Sequence, residues 1–217
     1  MKGAIFDLDG TLIDSMGAWH AADVAFLTKR GLPQEAEYFE GLKAVPFKRA
    51  AEYTIERYGL YDENPEDIIN EWRSFVRHEY DERIPAKPGA LEYLRKLRAE
   101  GVRIAIATSS EEELCHGVLT RLGIDKLVDN ITYTREVTRS KEFPDIYLLA
   151  AERLGVSPTD AVVFEDVLKC VRGAKSGGFR TVAVFDEESA SIWELIRAEA
   201  DRSIMSFEEL ASGSVKL

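Results

Sequence analysis

Ala4-Ile5-Phe6-Asp7-Leu8-Asp9-Gly10-Thr11 holds three apolar residues, two carboxylates flanking a leucine, and a Gly-Thr pair. A short apolar run that stops at Asp and Gly reads as a buried strand entering a turn. The same pattern recurs downstream. Residues 102–107 run into Thr108-Ser109-Ser110, residues 161–164 into Glu165-Asp166, and residues 181–185 into Asp186, with residues 131–133 a weaker strand. Helical patterns separate these runs, over residues 89–99, 111–122, 145–154, 168–176 and 190–199. Strands alternating with helices of this length predict βαβ units and a parallel sheet covered on both faces.

Residues 16–83 break the alternation. They contain no good strand, only amphipathic helical pattern interrupted near Gly31-Leu32-Pro33, Val45-Pro46 and Asn64-Pro65. Eleven of the chain's aromatic residues fall here, Trp19, Phe26, Tyr53 and Trp72 among them. A segment so rich in aromatics can build its own small core. Ile84-Pro85-Ala86-Lys87-Pro88-Gly89 reads as a return linker, because its prolines limit helix continuation. The expected fold is therefore α/β: a Rossmann-like parallel-sheet core formed by residues 1–15 and 84–217, with an α-helical cap domain, residues 16–83, inserted after the first strand. Hinges are expected near Ser15-Met16 and Ile84-Pro85.

The chain has 217 residues, 39 Asp and Glu against 28 Lys and Arg, and a formal net charge of -11. That length supports a real hydrophobic core. The acidity argues against non-specific nucleic-acid binding and against docking on an anionic membrane, since both need clustered Lys and Arg. No stretch approaches the length of a membrane-spanning helix, and the first residues reach a carboxylate too soon for a signal-peptide apolar region. Cys115 and Cys170 form neither a Cys-x-x-Cys pair nor a zinc-ligand spacing. A cytoplasmic, monomeric protein is the expectation.

In an open parallel sheet, ligands bind beyond the carboxyl ends of the strands. Asp7, Asp9, Thr108, Ser109, Glu165 and Asp166 all fall there, and Lys141 sits in a polar stretch before the helix that begins near Asp145. Four carboxylates brought together repel and tend to hold protons. A hard divalent cation such as Mg²⁺ resolves this, and it takes carboxylates, waters and substrate phosphate as ligands. Lys141 adds a second positive charge. Ser110-Glu111-Glu112-Glu113 carries a capping-box pattern at a helix start, where free N–H groups suit an anion. Together these features predict a phosphate site with a carboxylate nucleophile at hand.

Asp7-Leu8-Asp9-Gly10-Thr11, Thr108, Lys141 and Glu165-Asp166 resemble, in order and spacing, the four motifs of the haloacid dehalogenase superfamily of phosphohydrolases. The likeness extends over nearly the whole chain, and it is nearest to the β-phosphoglucomutase-like and phosphoglycolate-phosphatase-like subfamily with a helical cap. The resemblance implies that Asp7 attacks phosphorus and becomes an aspartyl-phosphate. Asp9 protonates the leaving oxygen and later takes a proton from water. Thr108, Ser109 and Lys141 bind the phosphoryl group. Mg²⁺ is held by Asp7, the Asp9 backbone carbonyl and Asp166, with Glu165 near it. The implied activity is a Mg²⁺-dependent phosphatase of a small phosphorylated metabolite, with sugar phosphates among the candidates. The alternatives are a phosphomutase of the β-phosphoglucomutase type and, from another class, a silent binding protein that kept the fold.

Three positions depart from the family pattern. Glu142 stands where motif three usually has proline, so the lysine loop is expected to sit differently. Val167 stands where motif four usually continues with serine, which removes a hydrogen-bonding group near the metal. Mutases carry a histidine twelve residues after the nucleophile; here that position is Trp19, with His20 one place later. One residue turns a helix by about 100°, so the sequence favours phosphatase over mutase. Trp19, His20, Lys43, Lys48 and Arg49 are candidates for substrate specificity in the cap. Their plain alternative is packing for the aromatic and an ordinary charged helix surface for the rest. His78 and His116 read as solvated helix residues, and both cysteines as buried, unreactive ones.

Overall fold

The structure is a computed structural model that describes residues 1–42 and 47–215, the side chains of Glu40 and Phe47 excepted. Lys43 and the Val45-Pro46 break lie outside the described residues. The chain divides into two compact units, Met1–Ser15 with Ile84–Leu217, and Met16–Arg83.

In chain order the elements are β1 (Gly3–Phe6), α1 (Gly17–Arg30), α2 (Ala36–Leu42), α3 (Phe47–Tyr58), α4 (Pro65–Glu82), α5 (Ala90–Ala99), β2 (Arg103–Thr108) and α6 (Glu112–Leu122). They continue with β3 (Asn130–Tyr133), α7 (Asp145–Leu154), β4 (Ala161–Glu165), α8 (Leu168–Ser176), β5 (Arg180–Val184), α9 (Trp193–Glu199), β6 (Arg202–Ile204) and α10 (Glu208–Ala211).

The larger unit is built on a six-stranded sheet of order β3-β2-β1-β4-β5-β6. Its pairings are all parallel. β1, the central strand, is buried along its whole length, as its all-apolar Ala4-Ile5-Phe6 requires of a strand covered on both faces. Phe6 pairs in register with Phe164, and their rings stack with centroids 4.3 Å apart. From β1 the chain builds outward to β2 and β3, then returns to lay β4, β5 and β6 on the other side. β1 and β4 are thus the neighbours at which the winding reverses, and the crevice at their carboxyl ends is where such sheets place a ligand. β6 escaped the sequence reading. It has three residues, Arg-Ser-Ile, too few to show an alternating pattern. The helix expected over residues 190–199 is only helical from Trp193, preceded by a 3₁₀ stretch at Glu187–Ile192.

Two features hold the return linker to the first loop within this unit. Ile13 bridges Ala86 in antiparallel fashion, and the Asp14 and Lys87 amides donate to Pro85 and Leu12 carbonyls at 3.0 and 2.9 Å. Lys87 Nζ also pairs with the buried Asp186.

The smaller unit packs its own core. Phe26 of α1 meets Trp72 of α4 with centroids 5.7 Å apart, and Ile68, Val76 and Tyr80 extend the buried face of α4. Arg30, at the end of α1, fans onto Glu63 and Glu71 and covers the Phe26 ring at 3.7 Å. Asn64 accepts the Glu66 amide as N-cap of α4, with Pro65 at the first helical position, so Asn-Pro starts this helix. Buried Tyr38 bonds Thr54 and is ringed by Tyr53 and Tyr58.

Candidate functional site

β1 ends at Phe6, and the Asp7 amide donates to the Phe164 carbonyl at 3.0 Å, carrying the pairing with β4 one residue further. This places Asp7 beside Glu165, the last residue of β4, and Asp166. All three are buried, and one oxygen from each lies within 4.8 Å of the others. After Asp7 the chain must turn away from the sheet at once. Gly10 does this in the left-handed region, φ 77°, its amide bonded to the Ile13 carbonyl at 3.0 Å.

Lys141 reaches into the cluster from the polar stretch before α7. Its Nζ bonds Asp7 Oδ1 and lies 2.5 Å from Glu165 Oε1. The Glu142 departure therefore leaves the lysine in the cluster. Glu142 itself turns outward to an exposed pair with Lys169 at 3.0 Å. What seats the loop is Gly173 of α8, where a Cβ would collide with the Lys141 carbonyl oxygen.

Each carboxylate of the cluster has one oxygen held by a neighbour. Asp7 is held by Lys141, Glu165 by Lys141 and by the Tyr147 hydroxyl at 2.8 Å, and Asp166 by the Thr11 hydroxyl at 2.9 Å. Glu165 Oε2 is buried with no hydrogen-bond partner among the described residues. Burial drives the Asp7 carboxyl well above its ordinary range; Lys141 opposes this, but Glu165, Asp166 and Asp9 add to it. Asp166 is pushed up to about 7 by burial and by Glu165. Burial works against the Lys141 charge, yet Asp7 and Glu165 outweigh it and hold the ammonium protonated. One lysine against this many carboxylates leaves the pocket short of positive charge. A buried oxygen without a partner and an all-oxygen donor set fit a hard divalent cation.

Asp9 stands apart from these three. Its two oxygens accept the Ser15 hydroxyl at 2.7 Å and the Ser110 hydroxyl at 2.6 Å. The capping box expected at Ser110 is not formed: α6 begins at Glu112 with Glu111 as its N-cap, which has no side-chain bond, so Ser110 stands one residue ahead of the cap position and its hydroxyl donates to Asp9. Thr108, buried at the end of β2, accepts the Ser110 amide at 3.0 Å, which leaves its own hydroxyl hydrogen to donate. Ser109 is exposed. Val167 is 41 % exposed and forms the N-cap of α8 with no side-chain bond, so the missing serine costs a helix cap.

In the smaller unit, Trp19 is half-buried and His20 exposed on α1, the His20 ring against Phe39 at 4.5 Å. Lys48 and Arg49 are exposed on α3, with Arg49 paired to Glu52 at 2.7 Å. His78 and His116 are exposed. Cys115 is buried, its thiol pushed up to about 12 by burial; Cys170 is only half-buried, and burial raises its thiol too. No helix among the described residues is long and apolar enough to cross a membrane.

Sequence reasoning missed Ser15, Ser110, Thr11 and Tyr147. Thr11 lay inside the quoted motif and Ser110 beside Thr108-Ser109, so proximity was the available signal. Tyr147 is six residues past Lys141 on the helix expected from Asp145, and spacing does not show that its hydroxyl reaches Glu165 at the end of β4.

The family model described as "Hydrolase: haloacid dehalogenase-like hydrolase" matches residues 1–178. The phosphorylated carbohydrates phosphatase of Thermotoga maritima is 30% identical over 184 residues, 84% of each chain. The β-phosphoglucomutase of Mycobacterium bovis is 30% identical over 250 aligned residues, covering 97% of this chain and 91% of that one. A Thermotoga maritima structure provisionally described as a β-phosphoglucomutase superposes with a TM-score of 0.86 at 26% identity, covering 99% of this chain and 98% of the other.

Proposed function

This chain belongs to the haloacid dehalogenase-like hydrolases, and on that premise we propose that Asp7 takes the phosphoryl group of a small phosphorylated carbohydrate as an aspartyl-phosphate. The observation that carries the reading is the buried group of Asp7, Lys141, Glu165 and Asp166 at the ends of β1 and β4. Phosphoryl transfer asks for in-line positioning and charge neutralisation, and these side chains are suited to both.

In the first step an Asp7 oxygen bonds to phosphorus while the bond from phosphorus to the sugar oxygen breaks. Asp9 gives its proton to that leaving oxygen. Lys141 and Thr108 bind the transferring group, and exposed Ser109 adds its hydroxyl. Asp7, the Asp9 carbonyl and Asp166, with Glu165, are the residues that would hold Mg²⁺. When bound there, the ion would supply charge neutralisation for the phosphoryl oxygens and the nucleophile. In the second step Asp9 takes a proton from the incoming hydroxyl as its oxygen displaces Asp7 from phosphorus.

That hydroxyl decides the product. The comparisons favour a second hydroxyl of the sugar, which returns the phosphate as an isomer, over water. The mutase relative spans nearly all of this chain, and so does the structure that bears the same name. Hydrolysis is the second reading, favoured by Trp19 at the position where mutases carry histidine and by the carbohydrate-phosphate phosphatase relative. Selection among phosphate esters belongs, in this reading, to the 16–83 unit with Trp19, His20, Lys48 and Arg49 as candidates, and the two free thiols suit a reducing cytoplasm.

A panel of sugar phosphates incubated with Mg²⁺, scored by phosphorus NMR for isomer and by colorimetry for free phosphate, tests both levels. Isomer with little free phosphate marks the mutase; stoichiometric free phosphate marks the phosphatase. Either activity should vanish in Asp7→Asn. Substantial turnover by pure, folded Asp7→Asn protein overturns the assignment.

A further inference from the structure

Tyr147 lies in the first turn of α7 and is fully buried. It belongs to a buried core cluster that includes Ile5, Ala107, Ile146 and Val163, and its ring meets the Phe179 ring edge-on at 6.3 Å. So packed, the ring has no freedom to swing its hydroxyl elsewhere. That hydroxyl donates to Glu165 Oε1 at 2.8 Å, the same oxygen that Lys141 approaches, and Lys141 Nζ lies 5.8 Å from the Tyr147 ring centroid.

Glu165 has more rotatable bonds than its neighbours Asp7 and Asp166. A glutamate's last torsion is broad, so its carboxylate plane turns easily about the side-chain axis. With both donors on Oε1, that turning is restricted. Oε2 is buried and is the Glu165 oxygen that no donor among the described residues occupies. Groups that hold a metal-ligating carboxylate from behind contribute to metal affinity through geometry alone.

We infer that Tyr147 is a positioning residue for a divalent-cation site, its hydroxyl fixing Glu165 by Oε1 so that Oε2 faces the cation. The inference rests on the proposed Mg²⁺ site and names what sets that site's affinity. It separates two roles that the buried ring could have. A residue that only packs would alter stability and leave cation binding alone. A residue that aims Glu165 alters cation binding even when the ring's packing is kept.

The test is Tyr147→Phe, which removes one oxygen and keeps the ring. Wild type and variant are stripped with chelator, and Mg²⁺ binding is measured by isothermal titration calorimetry in the absence of any phosphate ester. Urea unfolding in chelator is run alongside. The expected result is a Mg²⁺ Kd raised about tenfold or more in the variant, with the variant still folded in chelator. A variant Kd within twofold of a measurable wild-type Kd overturns the inference while the metal reading stands. A lowered urea midpoint with an unchanged Kd does the same, because that is the packing role. Failure of the wild type itself to bind Mg²⁺ overturns the metal reading and this inference with it.

Discussion

Ser110 donates its hydroxyl to Asp9 Oδ2 at 2.6 Å, across 101 positions of sequence. With Ser15 on the other oxygen, both ends of the carboxylate are held. Ser110→Ala should therefore leave Asp9 able to rotate away from a leaving oxygen. A hydrogen bond to a charged group contributes roughly 1.5–3 kcal/mol, so kcat is expected to fall by about ten- to a hundredfold with KM little changed. Steady-state kinetics on the best substrate of the panel checks this. A raised KM at full kcat would mean that Ser110 binds substrate instead.

Lys141→Met should remove the single cation buried among Asp7, Glu165 and Asp166. Breaking a buried pair from one side costs roughly 3–5 kcal/mol. The loss should be largest near pH 8 and shrink near pH 5, where Asp7 and Asp166, both raised, take up protons. Urea unfolding in chelator at the two pH values measures it, and activity should be lost at both.

The metal-free wild type should itself be less stable at pH 8 than at pH 5. The Asp166 carboxyl is raised to about 7 by burial and Glu165. A group whose folded value lies above its unfolded value contributes stability that is complete below the unfolded value and lost as pH rises through the folded one. The window for Asp166 thus runs from about pH 4 to about pH 7, and the loss is roughly 2–4 kcal/mol. Mg²⁺ should restore stability at pH 8 and do little at pH 5. Melting temperatures with and without Mg²⁺ at saturating concentration show whether the rescue has that pH dependence.

Asp23 of α1 has the same sign from a different place. Burial pushes its carboxyl up to about 7. Asp23→Asn should raise the melting temperature more at pH 8 than at pH 5, with a gain on the order of 2 kcal/mol after allowance for its partial exposure. Unlike the effect at Asp166, this gain should not respond to Mg²⁺.

Val167→Ser should supply the N-cap that α8 lacks. Capping by serine contributes about 0.5–2 kcal/mol. A raised urea midpoint is expected, and an unchanged one would show that the α8 amides are already satisfied by solvent.

The parallel sheet was legible because each central strand is a short apolar run closed by polar residues, as in Ala4-Ile5-Phe6 before Asp7. The ends of those runs could be named from spacing, since a strand's carboxyl end is a property of chain direction. What spacing does not carry is side-chain reach. Ser110 read as a helix cap because the three glutamates follow it, yet α6 takes Glu111 as its N-cap, and the Ser110 hydroxyl, one residue ahead of it, donates to Asp9. Val167 read as a loss near the metal site, and its place as the N-cap of α8 was not legible with it. Tyr147 could not be seen at all, because the helix over residues 145–154 was legible but not which of its side chains reaches Glu165. β6 was hidden by its brevity.

The tie between residues 12–14 and 85–87 makes the two ends of the 16–83 insertion leave the sheet side by side. For the larger unit, the insertion is topologically a hairpin loop whose stem is already closed. Loop-closure entropy grows slowly with length once the ends are fixed, so segments of very different size can be spliced at this stem without rethreading a strand. The stem makes residues 16–83 a segment that can be exchanged while Asp7 and Asp166 stay where the sheet puts them.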